Sequence, residues 1–234
     1  MSIADKLQTI AENEQRVFDA GKKAEYDAFW DSFQQNGNRT NYRYGFSGSG
    51  WVTETLKPKH VCTPTDAIGM FFLCGYQSGE GMVDFREIAD KFDFSKVTDA
   101  TQVFYSAGID YITADFSSAT SLSDTFNCGF ISRTTTITLK VTPVTTNFNN
   151  TFHYAHALRN LTFTDDSEIA CGGLNLKDSP NLTKESIISV INALSDNTTD
   201  LTVTFSQTAV NNAFTAEEWN ALKATKQNWS IDLA

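Results

Sequence analysis

FDFSKVTDATQVFYSAG (92–108) and ADFSSATSLSDTFNCGF (114–130) align without a gap. Asp93, Phe94, Ser95, Thr98 and Phe104 of the first segment recur as Asp115, Phe116, Ser117, Thr120 and Phe126 of the second, five identities in twelve positions. The same six-residue step joins Thr65 to Phe71 and Thr146 to Phe152, and successive phenylalanines lie 33, 22 and 26 residues apart. A unit recurring at this period marks a repeat array. One unit cannot bury its own apolar face, so neighbours must stack.

Each anchoring Phe is followed by a small residue (Cys74, Ala107, Cys128, Ala155). Runs of strand character come next: IDYITADF (109–116), TTITLKV (135–141) and ALRNLTFT (157–164). Their apolar residues alternate, as Ile112, Ala114 and Phe116, as Ile137, Leu139 and Val141, and as Leu161 and Phe163. Period two buries one face and exposes the other. Tyr111, Thr113, Thr138, Lys140, Thr162 and Thr164 therefore point outward. The expected unit is a short strand, a turn, and a loop or half-helix led by the Thr, whose hydroxyl caps the turn. The strands are expected to line up as one parallel sheet, with the phenylalanines in the core. VTETLKPKHVC (52–62) reads as a degenerate first unit, and the segment around Ser78–Met82 as an insertion.

The flanks differ. Residues 3–35 predict a helix with a heptad-like seam of Ile3, Leu7, Ile10, Val17, Ala24 and Ala28, interrupted by Glu14 and Gly21. A parallel coiled coil, a helix packed on its own domain, and a helix docked into a larger assembly all fit that pattern. Asn36-Gly37 breaks the helix, and Tyr42, Tyr44 and Phe46 alternate like a short strand, an aromatic lid over the first repeat. Thr183 can cap a helix reaching Leu194, LTVTF (201–205) is a strand, Thr215 and Glu218 make a capping box, and WSIDLA closes the chain as a strand. The expected division is an N-terminal helix (1–36), a repeat body (37–182) and a helical C-terminal cap (183–234).

Twenty-eight acidic against eighteen basic residues leave a formal net charge of −10, which opposes nucleic acid and anionic membrane. No run of 18 apolar residues is present, and the N-terminus lacks the apolar core of a secretory signal. Cys62, Cys74, Cys128 and Cys171 form no CxxC pair and are expected as reduced, buried small hydrophobes. Chemistry-bearing motifs are scarce: there is no GxSxG, HExxH, Walker loop or GxGxxG. His153 and His156, three apart, lack a third ligand nearby in sequence, and Asp165, Asp166 and Glu168 do not have EF-hand spacing. Neither a metal nor a cofactor is expected. Asp93 and Asp115 can align as paired carboxylates, the arrangement a glycosidase uses, but Val141 takes that place in the next unit. The remaining candidate is the outward face of the sheet, a row of hydroxyls with one aromatic ring.

The D-F-S-x-x-T-x-x-x-x-x-F unit of Asp93–Phe104 and Asp115–Phe126, with Ala or Cys soon after, resembles the BspA-like leucine-rich repeats of bacterial surface proteins. LTKESIISVINALSD and TAEEWNALKATKQNWSIDLA resemble the C-terminal cap of repeat proteins encoded in prophages of gut Firmicutes. FWDSFQQNGNRTNYRYGFSGSGW resembles the start of such phage proteins, near the tail genes. The chain departs from the pattern where RTTTITLKVTPV replaces the D-F-S core. The resemblance implies an α/β, leucine-rich-repeat-like solenoid with a parallel sheet. It also implies a non-catalytic, tail-associated structural or receptor-binding protein. Its partners would be a host surface protein or glycan, or other virion proteins. The heptad-like seam adds the expectation of a homo-oligomer through the N-terminal helix, and the lack of a signal peptide that of a location in the virion or in the cytoplasm of the producing bacterium. The alternatives are a polysaccharide hydrolase on a β-solenoid and a bacterial surface adhesin.

Overall fold

The computed structural model describes residues 40–45, 47, 61–74, 83–129 and 134–234. The helix expected over 3–35, most of the unit read at 52–62, and the insertion at Ser78–Met82 lie outside these residues. The described chain is a mixed α/β protein built on two parallel sheets, neither closed into a barrel.

The first sheet has four parallel strands in sequence order: β1 (Val83–Asp84), β2 (Ile109–Asp115), β3 (Thr136–Lys140) and β4 (Asn160–Phe163). β2 to β4 occupy the three expected runs. Ile112, Ile137 and Leu161 sit in one register row, Ala114, Leu139 and Phe163 in another, and all six are buried. β-Branched residues at alternate positions suit a pleated strand with one buried face.

Opposite the strands run the Thr-led segments, and here the expectation of a capped half-helix fails. Each Thr turns both its N–H and its hydroxyl to the carbonyl of the Thr in the preceding unit. Thr120 donates to Thr98 O at 2.9 and 3.0 Å, and Thr146 to Thr120 O at 2.9 and 3.3 Å. Thr98 treats Thr65 in the same way (3.2 and 3.3 Å), and Thr65 treats Thr40 (2.8 and 3.4 Å). The hydroxyl bridges units and caps nothing within its own. Thr40 is thus a further member of the column, and it also stands six residues before a phenylalanine, Phe46. The short strand expected through Tyr42 and Tyr44 is instead a turn of this column. Asn41 bridges Asp66, and Tyr42 is buried.

The residue after each Thr makes the turn. Asn41, Asp66, Asp99, Ser121 and Asn147 form a column of single parallel bridges. Each side chain accepts the N–H two residues on, at 2.9–3.3 Å, the Asx or Ser turn. Four residues after each Thr the backbone is left-handed: Tyr44 (φ 52), Gly69 (60), Gln102 (59), Asp124 (54) and Asn150 (54). Backbone donors then alternate. Val103 and Tyr105 bond three residues back, to Ala100 and Gln102, while Gln102, Phe104 and Ser106 bond to Ser123, Thr125 and Asn127 of the next unit. Buried amides in these turns therefore find partners without helix or sheet.

The column brings the anchors together. Phe71, Phe104, Phe126 and Phe152 stack with centroids 5.3, 5.6 and 5.6 Å apart and planes within 2, 8 and 13°. Phe85, Phe92, Phe94 and Phe116 are buried beside them. Removing a phenyl ring from water contributes roughly 1.5–3 kcal/mol. The stack is therefore a main source of stability.

The last strand of the first sheet is covered by helix α1 (Lys184–Ala193), capped as expected by Thr183. Ser186 Oγ accepts the Leu161 N–H at 2.9 Å and donates to Arg159 O at 3.0 Å, and Ser189 Oγ accepts the Phe163 N–H at 2.9 Å. Two serines thus close an edge that would otherwise present free backbone groups. Beyond it lies the second parallel sheet: β5 (Leu174–Leu176), β6 (Leu201–Phe205) and β7 (Trp229–Leu233). Helices α2 (Gln207–Ala213) and α3 (Ala216–Lys223) link β6 to β7, and α3 begins with the expected Thr215–Glu218 capping box. None of the four cysteines forms a disulfide. Cys62, Cys74 and Cys128 are buried, but Cys171 is only half-buried, which corrects the expectation for that residue. Burial pushes the Cys128 thiol up to about 12 and that of Cys171 to about 11.

Candidate functional site: the outward face of the first sheet

Strand register decides which outward side chains meet. Thr113, Thr138 and Thr162 are register partners across β2, β3 and β4. They form one row at the strand spacing of about 4.8 Å. Thr113 and Thr162 are exposed and Thr138 is half-buried.

The row above holds Tyr111, Thr136 and Asn160, in which the Asn160 amide donates to Thr136 Oγ1 at 3.3 Å. The Arg86 guanidinium lies 3.6 Å from the centroid of the Tyr111 ring, a cation–π contact. Below the threonines, Lys140 pairs in register with Asp115 and forms an ion pair with Asp166 Oδ2. Thr164 donates to Asp166 Oδ1 at 2.7 Å. The hydrogen bond from Lys140, then that from Thr164, holds the Asp166 carboxyl below its usual range, and Asp166 raises Lys140 in turn.

Of the six expected residues, three form the central row, Tyr111 sits one row above under Arg86, and Lys140 and Thr164 converge on Asp166. Thr136 and Asn160 belong to the same face. The alternation within the runs already quoted, carried one step upstream, identifies both. Arg86 lies in a three-residue 3-10 turn (Phe85–Glu87), too short for any period to reveal. A cleft of about 380 Å³ opens beside β4, where Thr162, Thr164, Asp165, Glu185, Ser189 and Asn192 lie between the strand and α1.

The other candidates each have partners of their own. Asp93 accepts both the N–H and the hydroxyl of Ser95, at 3.0 and 2.6 Å, and Asp115 accepts the Ser117 N–H at 2.9 Å. Each carboxylate folds back on its own loop, and the bonds from Ser95 hold the Asp93 carboxyl below its ordinary value. His153 stacks on Tyr154 at 3.7 Å and lies 3.8 Å from Asp178. Asp166 serves Lys140, while Glu168 accepts the Ser195 hydroxyl. Among the described residues, no group of three His, Cys, Asp or Glu side chains is placed to hold a metal ion.

Comparison of the chain with models of known protein families, with curated proteins and with solved structures returned no match.

Proposed function

We propose that the chain is a leucine-rich-repeat-like solenoid of the BspA-like kind, acting without catalysis. Its outward sheet face recognises a host surface protein or glycan. In this reading it is a phage structural or receptor-binding protein associated with the tail. It assembles as a homo-oligomer through the N-terminal helix and contacts other virion proteins.

The observation that carries the reading is the in-register row of Thr113, Thr138 and Thr162. Hydroxyls donate and accept, and a β-branched side chain is stiff at χ1. Such a row loses little freedom when it meets a partner, which favours binding. The charged residues at its ends, Arg86 and the Lys140–Asp166 pair, suit a rim that orients an approaching surface. Copies joined in an oligomer gain avidity from several weak contacts.

The test is adsorption of the labelled full-length protein to cells of gut Firmicutes. The Thr113→Val/Thr138→Val/Thr162→Val variant keeps side-chain shape and removes only the hydroxyls. It should adsorb at least tenfold less. Equal adsorption by the variant, or none by the parent protein to any strain, would overturn the proposal.

A further inference from the structure

On the turn side of the last Thr-led segment, Asn149, Asn150, His153, Asn175 and Asp178 line an open cleft of about 200 Å³. Asn149 and Asn150 follow Thr146 by three and four residues and are exposed. Asn150 is held left-handed (φ 54), and Asn175 comes from β5. Asp178 accepts the Tyr154 N–H through Oδ2 at 3.1 Å, and the same oxygen lies 3.8 Å from His153 Nε2. Gly173 stands at the wall with φ +92, and a Cβ there would point at Asn149 Oδ1, 3.5 Å away. A side chain at this position would therefore narrow the cleft.

The composition of the cleft names a ligand class. Lys177 and Asp178 both line it, so its formal charges balance and neither a cation nor an anion is selected. Amides, a carboxylate and an imidazole together offer donors and acceptors side by side, which is what adjacent hydroxyls require, since each hydroxyl both donates and accepts. Tyr154, 46% exposed, lies outside the lining and stacks on His153, which holds that imidazole at the wall of the cleft. The volume falls below the roughly 300–1,000 Å³ of pockets that enclose drug-sized ligands, which leaves room for one ring. We infer that this cleft binds a single neutral sugar unit of a glycan, using Asp178, Asn150 and the neighbouring amides for the hydroxyls. The site uses residues distinct from those of the sheet face, so its failure leaves the function proposed above standing.

Saturation-transfer NMR on the full-length chain tests this, with methyl glycosides of hexoses, N-acetylhexosamines and 6-deoxyhexoses as probes. Transfer to at least one glycoside is expected. It should fall fivefold or more in both Asp178→Asn and Asn150→Gly. Asparagine keeps an acceptor for the Tyr154 N–H, and glycine fits the left-handed backbone at 150, so both variants should fold. No transfer from the parent protein to any glycoside overturns the inference, as does transfer unchanged in both variants. Transfer kept by these variants but lost in the triple threonine variant assigns the sugar to the sheet face and also overturns it. A His153 chemical-shift response to inorganic phosphate or Ca²⁺, with none to the glycosides, does the same.

Discussion

The left-handed residue four places after each Thr is glycine in only one of five described units. An L-residue in that region costs about 1–2 kcal/mol. Asp124 and Asn150 carry short polar side chains that tolerate it, whereas Gln102 has no such help. Gln102→Gly should therefore stabilise the protein by about 0.5–1 kcal/mol, once the extra chain entropy of glycine is set against the relieved strain. Gly69→Ala should act the other way, by about 1–2 kcal/mol. Its φ is +60, and the new Cβ would lie 2.2 Å from the Tyr44 ring, which must move aside. Urea midpoints of the two variants, shifted in opposite directions, check both expectations.

At the scale of elements, the junction between β4 and α1 rests on serine hydroxyls. Ser186→Ala removes the acceptor for the Leu161 N–H and the donor to Arg159 O. Leaving a buried amide unpaired costs about 1–3 kcal/mol. Ser186→Thr should recover part of it, and denaturation of the two variants measures the difference. The same junction shows what the sequence reveals and what it hides. β2 to β4, α1 and the capping box are legible because period-two alternation and N-cap chemistry leave local marks in the residues that form them. Serine at 186 and 189 reads locally as ordinary helix surface. Its role depends on a strand some 25 residues upstream, as do the bonds from each Thr hydroxyl to the unit before. The left-handed positions hid for the opposite reason: glycine fills only one of them, so no common residue type marks the column. Of the candidate site, the central threonine row was readable from alternation, whereas Arg86 reached the face from a turn with no pattern.

Over the whole molecule, the aromatic column is the common support. Phe104 stacks between Phe71 and Phe126 and meets Phe85 and Phe94 edge-on. Phe104→Ala should cost about 3–5 kcal/mol. Hydrogen exchange should place the loss chiefly in the units on either side, from Phe71 to Phe126, with the second sheet keeping more of its protection. A uniform loss of protection through β5 to β7 would show instead that the molecule opens only as one unit. The threonine bridges bear on how such a chain can change over generations. Thr98 and Thr120 hold equivalent places 22 residues apart, each reaching for the carbonyl of its predecessor. A gene lacking codons 98–119 would bring Thr120 to the carbonyl of Thr65 in the geometry Thr98 now uses, and a gene copying them would insert another equivalent unit. In-frame recombination can therefore shorten or lengthen the array in whole units, without a new fold having to be found each time.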